Sequence, residues 1–139
     1  MTRRIPGIAV MIVGTFTVAC NFSKDMEAAE SEVTRFHGDL ASGKYDEIYD
    51  EASDDLKKAT SREDFVRLLK AVHTKLGPTR ESNRTGFNMN LNTSGHFVTL
   101  TYDTKFEKGK GTEQFTYRVT AGKTLLAGYH ILSNDLITN

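Results

Sequence analysis

The hydrophobic period of the chain changes once, at Gly77-Pro78, and that change confines it to a few architectures. Ahead of this point apolar residues recur every three or four positions, the spacing of one helix face. Val33, Phe36 and Leu40 mark a first helix, with Glu27, Glu30, Glu32 and Arg35 around them, and Gly43 stops it. Tyr45, Ile48, Tyr49 and Ala52 mark a short second helix, whose face Leu56 extends past Ser53. Ser61-Arg62-Glu63-Asp64 supplies an N-cap and an acidic first turn for a third helix. Phe65, Leu68, Leu69, Val72 and Leu76 form its apolar stripe, and Gly77-Pro78 ends it.

Beyond Pro78 the period is two. Phe87, Met89 and Leu91 alternate with Asn88 and Asn90, and Val98, Leu100 and Tyr102 alternate with Thr99, Thr101 and Asp103. Phe115, Tyr117 and Val119 alternate with Thr116, Arg118 and Thr120, and Leu125, Ala127, Tyr129 and Ile131 make a fourth run. Turn signals at Asn92-Thr93-Ser94-Gly95, Lys108-Gly109-Lys110-Gly111 and Ala121-Gly122-Lys123 separate the runs. Four strands joined by such short turns form an antiparallel meander with one apolar face. That face requires a cover, which the amphipathic helices supply. The expected fold is α+β, with N-terminal helices packed on a curved four-stranded antiparallel meander. Residues 26–139 form one domain.

The first twenty residues follow neither pattern. Arg3 and Arg4 make a short basic start, and an apolar run of about eleven residues spans Ile8 to Val18. A secretory h-region is about 7–15 residues and a bilayer span about 20, so the run suits export better than crossing. Thr17-Val18-Ala19-Cys20 closes it. This string resembles the lipobox of bacterial lipoproteins, with Thr17 where Leu is usual. The resemblance implies a signal peptide over residues 1–19, cleavage between Ala19 and Cys20, and a diacylglycerol thioether on Cys20. Residues 20–25 are then the lipidated cysteine and a short tether. In Gram-negative lipoproteins Asp after the cysteine favours inner-membrane retention. Asn21 stands there, which implies the periplasmic side of the outer membrane. Two or three acyl chains on Cys20 would hold the protein durably, because each buried methylene contributes about 0.8 kcal/mol.

Composition agrees with this address. Cys20 is the only cysteine, so no disulfide forms within the chain, and lipidation would leave no free thiol in an oxidising compartment. Lys+Arg and Asp+Glu are both 18, and losing Arg3 and Arg4 makes the mature chain slightly acidic. Nucleic-acid binding demands a basic face, which this balance does not provide. The partner implied is a membrane, reached through the lipid.

The fold pattern carries a second resemblance. Phe36-His37-Gly38-Asp39-Leu40, Gly43-Lys44-Tyr45, Ile48-Tyr49, Thr60-Ser61-Arg62-Glu63-Asp64-Phe65 and Gly128-Tyr129-His130-Ile131 are similar to strings in bacterial lipoprotein domains of unknown function. Helices followed by a curled meander look like the cystatin-like or NTF2-like architecture. That architecture hosts enzymes, scaffolds and ligand binders, so it implies no single activity.

Candidate chemistry is sparse. His37, His73, His96 and His130 have no metal spacing, and a zinc site needs three or four converging ligands, so no metal is expected. Gly109 and Gly111 lie in a hairpin with no helix behind them to bind an anion, and no other cofactor motif occurs. No residue stands out as catalytic. Asp103, beside Tyr102 on the second strand, together with Tyr129 and His130, would line a pocket between sheet and helices if one exists. Burial would raise the Asp103 pKa toward proton-transfer use, whereas strict alternation points Asp103 outward. Leu126 and Leu132 lie opposite Leu125, Tyr129 and Ile131, so the last strand is apolar on both faces. A loop or tail would cover the surplus, or a protein partner or second copy would dock there. The expected function is a membrane-anchored envelope lipoprotein with a non-enzymatic ligand- or protein-binding domain. The alternatives are a small-molecule enzyme using the pocket and a protein inhibitor of an envelope hydrolase.

Overall fold

A computed structural model describes residues 17–139, with side chains described from Asn21 onward. The basic start, most of the apolar run and the side chains of Ala19 and Cys20 lie outside the described residues. Helices α1 (Thr17–Ala41), α2 (Tyr45–Asp50), α3 (Asp54–Ala59) and α4 (Arg62–Leu76) precede strands β1 (Thr79–Asn92), β2 (Gly95–Phe106), β3 (Lys110–Thr120) and β4 (Lys123–Leu132). A single turn, α5 (Asp135–Thr138), ends the chain. The sheet is an antiparallel meander in the order β1-β2-β3-β4, and the fold is α+β as the period change predicts.

Local chemistry explains the helix limits. Gly43 adopts φ +72° after α1, where a side chain would be strained. Ser61 accepts the Asp64 amide at 3.2 Å as the N-cap of α4, and Gly77 at φ +76° donates to the His73 carbonyl to close it. Two boundaries differ from expectation. The run from Tyr45 to Leu56 is two helices, because Ser53 is extended and its amide bonds the Leu126 carbonyl of β4 at 2.9 Å. That bond caps part of the β4 edge. Residues 21–25, expected as a short tether, lie within helix α1, which rises about 1.5 Å per residue.

The core lies between α1, α4 and one sheet face. Met26, Ala29, Val33, Phe36 and Leu40 of α1 and Phe65, Leu69, Val72 and Leu76 of α4 meet Val98, Leu100, Phe115 and Tyr117. Two assignments of facing are corrected. Leu126 is buried with the core and Leu125 lies on the opposite face. Thr116 pairs with Gly128 and Tyr117 with Leu126, so Ala127 is an extra residue that resets the alternation. On β1, Phe87 and Leu91 share the helix-facing side with Met89, yet they stay 55% and 80% exposed, because β1 is an edge strand that the helices leave uncovered there. Among the described residues no helix is long and apolar enough to cross a membrane.

Candidate functional site

Period-two alternation sends Gly111, Glu113, Phe115, Tyr117 and Val119 of β3 to the helix-covered face. Glu113 therefore arrives in the core, with no exposed surface. A lone buried carboxylate is costly, so hydrogen-bond donors must converge on it. They come from three elements. Thr104 of β2 donates its hydroxyl to Glu113 Oε2 at 2.6 Å. His37 Nε2, one helical turn beyond Val33 on α1, lies 2.7 Å from the same oxygen. Tyr129 of β4 donates to Oε1 at 2.7 Å. The Thr104 proton is committed to Glu113, so Ser82 of β1 donates to Thr104 across 3.0 Å. One polar network thus ties all four strands to α1.

Aromatic rings close around this network. Phe36 packs on Tyr129 at 4.7 Å and on Phe115 at 5.1 Å between ring centroids, and His37 meets Phe115 edge-on at 5.6 Å. Burial, followed by the Glu113 charge and the hydrogen bond to it, raises the Tyr129 hydroxyl well above the usual tyrosine range. Tyr129 therefore stays protonated and acts as a donor. Tyr117, further along β3, is also pushed well up by burial, and its buried hydroxyl has no hydrogen-bond partner among the described residues.

The expected pocket residues divide. Tyr129 belongs to the network. Asp103 and His130 do not join it, because both lie on the outer, uncovered sheet face and are exposed. Asp103 accepts a hydrogen bond from Thr112 at 3.0 Å. It lines an outer cleft of about 710 Å³ with Lys105, Lys110, Thr112, Leu132 and Ile137. A second cleft, of about 330 Å³, lies between α1, α2 and β4 and is lined by Glu32, Arg35, Asp39, Glu51 and Lys123 over Phe36 and Leu126. Burial, the largest influence, raises the Glu32 carboxyl there, against the opposing pull of Arg35. Neither cleft is lined by Glu113, His37 or Tyr129.

Glu113, His37 and Thr104 were not singled out by sequence. The signal for Glu113 was the alternation of Phe115, Tyr117 and Val119 continued two residues back. For Thr104 it was that of Val98, Leu100 and Tyr102 continued forward. His37 had only its spacing from Val33. Among the described residues no three His, Cys, Asp or Glu side chains converge to hold a metal ion.

No curated protein matches this chain. Residues 32–129, from within α1 to Tyr129, match the family described as Protein of unknown function (DUF4019). That span includes every member of the Glu113 network, and the chain belongs to the DUF4019 family.

Proposed function

We propose that this chain is a membrane-anchored bacterial envelope lipoprotein whose domain, of cystatin-like or NTF2-like architecture, binds a ligand or protein without turning it over. The observation that carries the binding half is the closure of the inner face. Its one buried carboxylate has no exposed surface, and Tyr129, Thr104 and His37 already occupy both its oxygens. An enzyme of this architecture would need such a group to reach a substrate. Phe36 and Phe115 fill the intervening space instead. Recognition then falls to the outer surface, where the 710 Å³ cleft offers apolar walls from Leu132 and Ile137 and polar groups from Asp103, Thr112 and Lys110.

The anchoring half is supported by the Thr17-Val18-Ala19-Cys20 string and by its spacing from the fold. Among the residues of α1 whose side chains are described, Met26 is the first that is buried, six positions after Cys20. A lipid there would hold the domain against a bilayer. The test is fractionation of a bacterial host expressing the full chain and its Cys20→Ser variant. The wild type is expected in membranes, with an acylated Cys20 as its mature amino terminus. The variant is expected as a soluble form or an uncleaved precursor. A Cys20→Ser protein that matures normally and remains in membranes would end the anchoring reading.

A further inference from the structure

Among the described residues, the exposed large apolar side chains gather in two places. Leu132 and Ile137 border the outer cleft, whereas Phe22, Phe87 and Leu91 sit at the start of α1 and along the β1–β2 hairpin. The rings of Phe22 and Phe87 meet edge-on, with centroids 6.1 Å apart. Phe87, Met89 and Leu91 share one face of β1, opposite Leu100, Val98 and His96. Met89 packs against the core, so its two neighbours are the ones left in solvent. Apolar side chains grouped on a surface mark a contact.

Charge indicates which contact. In a chain that is 26% charged, no Asp, Glu, Lys or Arg occurs from Thr85 through Tyr102. The hairpin tip is Asn, Thr, Ser and Gly, and its one titratable group, His96, lies 3.6 Å from Asp25. Cations border the patch. The Arg84 guanidinium stands 5.4 Å from the Phe87 ring centre and pairs with Glu30, and Lys24 is exposed on α1. Ionised groups resist the apolar layer of a bilayer, aromatic and aliphatic tips enter it, and cations favour its anionic headgroups. The backbone supplies the address, since Cys20 precedes Phe22 by two residues, about 3 Å of helix rise.

We propose that Phe22, Phe87 and Leu91 form a membrane-contact face that enters the headgroup–acyl boundary of a phospholipid bilayer. This rests on the lipid-anchor reading of Cys20. The face gives the tethered domain a fixed orientation. Lys105 of the outer cleft lies at the other end of β2, a strand of 12 residues, and pairs there with Lys110 of β3, so the cleft is held roughly 30–40 Å from the inserted hairpin tip.

Cys20 is the only cysteine, so a thiol added elsewhere in the lipidated protein is unique. The full chain carrying Leu91→Cys, and separately Ile137→Cys, is labelled with an environment-sensitive fluorophore. Each is reconstituted into phosphatidylethanolamine–phosphatidylglycerol vesicles containing acyl-brominated lipid. The label at position 91 is expected to shift to the blue and lose intensity by about twofold or more, as interfacial depth requires, while the label at 137 does neither. Equal, water-like emission at both positions from protein that floats with the vesicles would overturn the contact face and leave the anchor standing. A blue shift at 91 without lipid quenching would also overturn it, because a second copy or another protein would then be the cover. Wild-type chain that fails to float with the vesicles would overturn both readings together.

Discussion

Three donors converge on Glu113, while the Tyr117 hydroxyl, two core-facing positions along the same strand, has no partner among the described residues. The two cases cost differently. A buried carboxylate that loses a donor keeps its desolvation cost, about 1–3 kcal/mol per missing partner, whereas removing an unpartnered hydroxyl relieves one. Tyr129→Phe is therefore expected to destabilise the fold by about 1–3 kcal/mol in urea unfolding. Tyr117→Phe is expected to be neutral or stabilising. The reverse order would show that the network does not hold Glu113 as described. At this scale the chain was partly legible. Alternation correctly marked Phe115 and Tyr117 as core, but a carboxylate in the same phase reads as a break in the pattern. The donors that make Glu113 tolerable arrive from residues as distant as His37 and Tyr129, and no local pattern announces their convergence.

Strand β4 shows how one inserted residue redirects an element. Strict alternation puts Leu125 inside and Leu126 outside, and the bulge at Ala127 reverses them. Leu126 is 7% exposed against Tyr117, and its carbonyl holds the Ser53 amide between α2 and α3. Leu126→Ala is expected to cost about 2–5 kcal/mol, the usual range for a buried Leu truncation, and Leu125→Ala clearly less. Chemical denaturation of the two variants measures the difference, and equal losses would argue against the bulge. The helices were more readable than the strands. The Ser61 cap and Gly77 stop of α4 are local chemistry and fall where the sequence places them. A bulge, by contrast, is chosen by the curvature that the sheet needs to wrap its helices.

Across the whole molecule, the two halves of the chain are clasped by an ion pair as well as by the core. Arg118 of β3 holds Asp55 of α3 through two hydrogen bonds, of 2.5 and 2.8 Å, and lies 4.6 Å from the Phe97 ring centre. The bonds from Arg118 hold the Asp55 carboxyl down to about 2 from its ordinary 3.8. A carboxylate with a depressed pKa stabilises the fold above its unfolded value, and that contribution disappears as pH falls through the folded value. Wild type is therefore expected to exceed Asp55→Asn in stability at neutral pH. The gap should close between about pH 4 and pH 2 in urea titrations, and a gap that persists at pH 2 would mean the clasp is not electrostatic. Salt should narrow the same gap at neutral pH, because the pair is partly exposed.

Periodicity and turn chemistry act over a few residues, so the α+β order, the meander and the helix-to-strand switch at Gly77-Pro78 were legible in the linear chain. The sequence also carries the whole basis for reading Cys20 as a lipid attachment point, since that signal is a linear string. Packing decided that the inner face is closed around Glu113, that Leu126 and not Leu125 turns inward, and that Phe22, Phe87 and Leu91 form one uncovered patch. Those outcomes depend on which distant side chains share a small volume and how far each helix reaches across the sheet. Packing in three dimensions sets both.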